Sequence, residues 1–213
     1  MSHPNILITQ SDGIVTIEIS RREKKNAITS DMYRAMSAAL SRARDDSHVR
    51  VVLLRGQEDM FTAGNDLADF LQRKVGDPST AIPFLHLIAG FEKPIVGAVA
   101  GNAVGIGTTM LLHCDLVYAA TAREAGFVNR VLPASELMGA AMQAAQKLAA
   151  RPAGSLAVTK ALLKRPPDRS AIEAIDEEVI FFGDLVAAPA AKEIFAAFLE
   201  KRSPDPAKLH DKQ

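Results

Sequence analysis

Cysteine is almost absent from this chain: Cys114 is the only one in 213 residues. One thiol excludes an intrachain disulfide framework and fits a reducing compartment, so a cytoplasmic protein is expected. Net charge is absent as well. Lys plus Arg and Asp plus Glu each number 25, so no overall field draws the chain to nucleic acid or to an anionic membrane, and neither is expected as a partner. No run of roughly 18 apolar residues is free of charge, which leaves no candidate membrane helix. The start, MSHPNILITQ, lacks a basic segment followed by an apolar one, so no secretory signal is read there. Internal repeats and low-complexity tracts are missing too. His86 and His113 have no partners at metal-ligand spacing, so no metal is expected.

What is present is the balance of a soluble globular protein, 48% hydrophobic and 23% charged, long enough for one core with a small appendage. In residues 14–19, Val15, Ile17 and Ile19 alternate with Thr16 and Glu18, the pattern of a strand with one wet face. A polar stretch, Arg21 to Asn26, leads to a helix with Thr29 or Ser30 as N-cap and Met32, Met36, Ala39, Leu40 and Ala43 on one face. The short apolar runs 51–54 and 95–99 read as strands covered on both sides. Residues 116–119 form a further strand. Strands alternating with helices imply an α/β fold. After about Pro133 the character changes. Leu137, Met142, Ala145 and Leu148 mark one helix; Ile172, Ile175, Val179 and Phe182 a second; Ala191, Ile194, Phe195 and Phe198 a third. The expected division is a core over 1–133 and a helical region over 134–213.

Two stretches can carry chemistry. The first, Phe61-Thr62-Ala63-Gly64-Asn65-Asp66-Leu67, puts a small residue and a glycine in a turn where a ligand can approach the backbone, with Asp66 placed to cap a helix over 67–72. The second runs from Gly101 through Asn102, Ala103, Val104, Gly105, Ile106 and Gly107 to Thr109. Unpaired amides at its helix start satisfy the requirement of an oxyanion hole, where donors meet charge that develops during reaction. Nucleotide loops fail as rivals: a P-loop ends in Gly-Lys-Ser/Thr and this one ends in Gly-Thr-Thr, while Met110 stands where a dinucleotide fingerprint needs its third glycine. Asp115 is placed to bond backbone amides at a strand start, and Cys114 reads as an inert thiol.

In order and spacing, these elements, with the Arg21-to-Ala27 turn, Lys93-Pro94 and the stretch Gly126 to Pro133, resemble the crotonase (enoyl-CoA hydratase/isomerase) superfamily over residues 6 to 119 and again in the C-terminal helices. The resemblance implies a spiral of repeated ββα units followed by helices, an acyl-CoA thioester as substrate with coenzyme A as part of it and no separate cofactor, and a homotrimer or dimer of trimers. It assigns the thioester oxygen to the backbone amides of Ala63 and Ile106. It places Lys24, Asn26, Ala27, Ala63, Gly64, Asn65, Asp66, Leu67, Gly105 and Thr109 against the substrate, with Lys24 meeting phosphate as a point charge.

The pattern departs from the family at two points. A two-glutamate hydratase of the family carries its first Glu where this chain has Thr109, whose hydroxyl is no carboxylate base. The wording around it is more similar to the Δ3,Δ2-enoyl-CoA isomerase branch, which moves one proton between C2 and C4 with a single carboxylate. Hydration, thioester hydrolysis and non-catalytic acyl-CoA binding stay as alternatives. The family's carboxylate follows the strand that matches 116–119, and here on the order of forty residues are absent after about Ala120. Either the chain is truncated there, or a segment is left out of the sequence and the numbering closed up; the consistency of a packed core favours the second. Glu124, beside the junction, matches an exposed helix position of the family rather than its base.

Overall fold

A computed structural model describes residues 3–57, 59–72, 79–120, 128–164, 181 and 188–209. It divides into two compact units, 1–146 and 147–213. The first holds a six-stranded sheet in the order β1 (Ile6–Ser11), β2 (Ile14–Ile19), β3 (Val51–Arg55), β5 (Ile95–Val99), β7 (Leu116–Ala119) and β8 (Arg130–Val131). In this sheet β1 and β2 pair antiparallel, and the described pairings from β2 to β8 are parallel. β4 (Met60–Thr62) and β6 (Asn102–Ala103) form a separate two-stranded parallel ladder.

The parallel strands are apolar because both faces are covered. All five residues of β5 are buried, as are Val51 to Leu54 of β3. Helix α1 (Ser30–Asp45) starts where Thr29 Oγ1 accepts the Met32 N–H at 3.3 Å, which satisfies one of the donors left open at a helix start. Its predicted stripe is buried throughout: Met32, Met36, Ala39, Leu40 and Ala43 are each at most 2% exposed. Met36 and Leu40 meet Ile17, Val52, Leu54 and Ile95 of the sheet and Phe84 and Ile88 of α3 (Ala81–Ala89). Asp115 bonds a strand start as expected, its Oδ2 accepting the Ile95 N–H at 2.7 Å. Lys93 caps the other end of α1, donating to the carbonyls of Ala43 and Asp46 at 2.7 and 2.6 Å.

Helices α2 (Leu67–Gln72) and α4 (Ile106–Leu111) are each six residues long, and both follow the two-stranded ladder. Helix α5 (Ala134–Ala149) buries Leu137, Ala141 and Ala145. The second unit holds α6 (Ala153–Leu163) and α7 (Pro189–Leu199). Among the described side chains of α7, Ala190, Glu193 and Ala197 are buried, while Phe195 is half exposed. The expected stripe through Ala191, Ile194 and Phe195 is therefore displaced, because Arg202 and Lys208 neutralise Glu193 and let a carboxylate occupy the inner face. The helix expected on Ile172, Ile175, Val179 and Phe182, and the junction after Ala120 with Glu124, lie outside the described residues. Among the described residues no helix is long and apolar enough to cross a membrane.

Candidate active site

The polar stretch after β2 folds into a turn fixed by Asn26, which is fully buried. Its Oδ1 accepts the Arg21 N–H at 2.7 Å, and its Nδ2 donates to the Met60 and Phe61 carbonyls at 2.9 and 3.1 Å. Arg21 Nη1 reaches the Ala27 carbonyl at 2.9 Å and Asp66 Oδ2 at 2.6 Å. Asp66 Oδ1 accepts the Asp69 N–H at 3.0 Å, so it caps α2 as expected while pairing with Arg21. Those two interactions, the Asp69 N–H first and the guanidinium second, hold the Asp66 carboxyl below its ordinary value. The ion pair ties the 21–27 turn to the loop after β4.

That loop and the loop after β6 are held side by side. Thr62 pairs with Ala103, and the Val104 N–H donates to the Thr62 carbonyl at 3.0 Å. Gly64 sits at φ +92°, where a Cβ would stand 3.0 Å from the Val104 carbonyl oxygen; Gly105 sits at φ +56°. Side chains rarely adopt either conformation, which explains glycine at both places.

The amide directions then decide which residues can receive a ligand. The Ala63 N–H, expected to hold a thioester oxygen, donates to the Lys25 carbonyl at 2.9 Å. It is not available, and this corrects the expectation. At the next bridge the Ile28 N–H donates to the Gly64 carbonyl at 2.8 Å and the Asp66 N–H to the Ile28 carbonyl at 2.9 Å. In a parallel bridge of this kind the residue between, Asn65, turns its own N–H away from the partner strand. The Ile106 N–H is the first of its helix and has no partner four residues back. Among the described residues neither the Asn65 nor the Ile106 amide has an acceptor.

Two adjoining cavities share Asn65, Asp66 and Asp69. The larger, about 530 Å³, is lined by Arg21, Lys24, Ala27, Ala63 and Leu67 among others. The smaller, about 230 Å³, brings Asn65 and Ile106 together with Tyr33, Ser30 and Leu85. Lys24, Ala27, Ala63, Asn65, Asp66 and Leu67 thus line the larger cavity, and Asn65, Asp66 and Ile106 the smaller. Asn26 and Gly64 line neither cavity. Thr109 turns its hydroxyl to the Gly105 carbonyl at 3.3 Å, and neither Thr109 nor Gly105 lines either cavity. Arg21, Tyr33 and Asp69 were not foreseen as site residues. A tyrosine on a buried helix stripe is the one available signal, since its hydroxyl needs a partner.

Comparison with known proteins follows the same lines. The enoyl-CoA hydratase/isomerase family profile matches residues 9–122 and 118–207, two stretches that meet at the junction after Ala120. Enoyl-CoA delta isomerase 2 of Rattus norvegicus is 38% identical over 121 residues, covering 54% of this chain and 31% of that protein. The chain therefore spans less than a third of that isomerase. A Mycobacterium tuberculosis protein named probable enoyl-CoA hydratase echA8 is 23% identical over 252 aligned positions, covering 96% of this chain and 98% of its own. Since 252 exceeds the 213 residues here, that protein carries residues with no counterpart in this chain. A solved structure from Magnetospirillum magneticum AMB-1, assigned as an enoyl-CoA hydratase/carnithine racemase, superposes with a TM-score of 0.89 at 33% identity, covering 97% of this chain and 100% of that one. The fold is the crotonase α/β fold with a C-terminal helical region, and the chain belongs to the enoyl-CoA hydratase/isomerase family.

Proposed function

We propose that the chain binds an acyl-CoA thioester and moves the double bond of an enoyl-CoA, its thioester oxygen held by the backbone N–H groups of Asn65 and Ile106. The observation that carries this reading is that these two amides, left without acceptors among the described residues, border one cavity. A carbonyl oxygen there gains negative charge as a carboxylate base, supplied by no described residue, takes a proton from C2 for return at C4, and each donor strengthens as the charge grows; losing one costs on the order of 3 kcal/mol in the barrier. The larger cavity takes the coenzyme A portion, with exposed Lys24 on its rim toward phosphate. Thr109 in place of a hydratase glutamate, and the 38% likeness to an isomerase over half the chain, favour isomerisation over hydration. The half-exposed Phe195 of α7 suits the homotrimer, or dimer of trimers, and the lone Cys114 suits a cytoplasmic setting.

A second reading is supported by the carboxylates. Among the described residues the only carboxylates that line the smaller cavity are those of Asp66 and Asp69. Asp66 is tied to Arg21, and Asp69 Oδ2 accepts both the N–H and the hydroxyl of Ser30, at 3.1 and 2.9 Å. With the family's base segment absent, the chain would bind acyl-CoA without turning it over. Incubation with 3-enoyl-CoA and 2-enoyl-CoA separates the readings. Double-bond migration without water addition is the expected result, water addition would make the chain a hydratase, and binding without turnover would favour the second reading. Failure to bind either thioester would overturn both.

A further inference from the structure

The Tyr33 hydroxyl lies 2.6 Å from Asn65 Oδ1, and the ring is held in a tilted contact with Phe84, centroids 5.5 Å apart. Tyr33 belongs to the buried stripe of α1 and is 3% exposed, so the phenol cannot follow a moving loop. Asn65, by contrast, is exposed on the loop between β4 and α2, and its N–H has no protein acceptor among the described residues. From these contacts we infer that Tyr33 is a positioning residue for the oxyanion amide: by donating to the Asn65 side chain it adds a second restraint to the backbone anchor of that peptide and keeps the Asn65 N–H aimed at the smaller cavity.

The physical argument is one of preorganisation. A donor stabilises developing charge fully only if it is already aimed when the charge appears. The neighbouring amides of Gly64 and Asp66 are fixed by Thr62 Oγ1 at 3.0 Å and by the Ile28 carbonyl at 2.9 Å, whereas the Asn65 amide must stay open for substrate. Its peptide plane is anchored at one end, where the Gly64 carbonyl accepts the Ile28 N–H at 2.8 Å, and Tyr33 holds the residue's side chain from the core as a second restraint. Burial, with Asp69 adding to it, pushes the Tyr33 phenol well above its ordinary value, so it stays a neutral donor at any working pH.

This inference rests on the acyl-CoA reading above, and the test keeps the two apart. Tyr33→Phe retains the ring and its Phe84 contact and removes only the hydroxyl. The probe is a saturated acyl-CoA isotope-labelled at the thioester carbonyl, whose infrared stretch moves to lower frequency when the oxygen accepts aimed hydrogen bonds. The stretch is expected to move in the wild type and to broaden back toward the free value in Tyr33→Phe. On an enoyl-CoA, kcat is expected to fall about tenfold with KM nearly unchanged, the equivalent of one hydrogen bond. Asn65→Ala keeps the backbone amide and removes the other end of the contact, so it should mimic Tyr33→Phe. The double variant should be no worse than either alone, as for two residues acting through one interaction. A folded Tyr33→Phe with the wild-type stretch, or additive losses in the double variant, would overturn the positioning role. A wild type that binds without any movement of the stretch would overturn the oxyanion reading itself, and the inference with it.

Discussion

Thr62 and Ala103 are register partners in the two-stranded parallel ladder, and the residues three places beyond each of them, Asn65 and Ile106, both have amides without acceptors among the described residues. The ladder slips by one residue between its pairs, Met60 facing Asn102 and Thr62 facing Ala103, so it is the last rung and the Val104 N–H bond to the Thr62 carbonyl that hold the two loops side by side.

Gly64 keeps those loops at contact distance. In Gly64→Ala the new methyl would meet the Val104 carbonyl oxygen at 3.0 Å, in a backbone conformation that side chains rarely adopt. The expected outcome is a stability loss of about 1–3 kcal/mol in urea unfolding, together with weaker acyl-CoA binding in calorimetry. A stable variant with unchanged affinity would mean that the loops do not depend on this contact.

The Arg21–Asp66 pair makes the site sensitive to acid. The Asp66 carboxyl titrates below its ordinary value of 3.8 in the folded chain. A depressed carboxyl contributes stability that is complete above that ordinary value and drains away as pH falls through the folded one. Asp66→Asn should therefore be less stable than wild type at neutral pH, with the difference shrinking below pH 3.8. Unfolding midpoints measured across that range check the sign; a constant difference would remove Asp66 from the acid limb.

Most of the sheet and α1 were legible in the sequence because their burial is local in pattern: Met32, Met36 and Leu40 recur at helical spacing, and Ile95 to Val99 form an unbroken apolar run. The strands β4 and β6, three and two residues long, carry no such pattern, and they are the elements that set the site. The choice between Ala63 and Asn65 was likewise illegible. It turns on whether the Lys25 carbonyl, far away in sequence, already takes an amide, and backbone direction alternates without regard to side-chain identity. The inward face of α7 was missed for a different reason. A glutamate reads as a solvent position until Arg202 and Lys208 are known to meet it.

Glu193 gives the second unit its own acid transition. The Arg202 guanidinium and the Asp205 N–H, at 2.9 Å in the latter case, push its carboxyl down to about 2 from an ordinary 4.5. The stability it supplies is present above pH 4.5 and lost between there and about pH 2. Glu193→Gln should flatten the pH dependence of unfolding in that window. Circular dichroism of the variant against wild type reads this directly, and equal slopes would show that the pair is not coupled to folding.

Ile106 allows the amide proposed to hold the thioester oxygen to be removed with little damage to the fold. It is the first residue of α4, and proline is favoured at that position because its missing N–H has no helical partner and its φ already suits a helix. Ile106→Pro therefore deletes the donor while leaving the remaining bonds of α4 intact, although it also gives up part of a side chain packed against the core. Ile106→Val trims that side chain and keeps the N–H, so it isolates the packing loss. If the amide holds the thioester oxygen, Ile106→Pro should lower kcat by about 10²–10³-fold, whereas Ile106→Val should stay within a few-fold of wild type. Thermal unfolding of both variants checks that they are folded. Equal activity in the two would place the developing charge elsewhere, since they differ above all in one backbone hydrogen at the mouth of the smaller cavity.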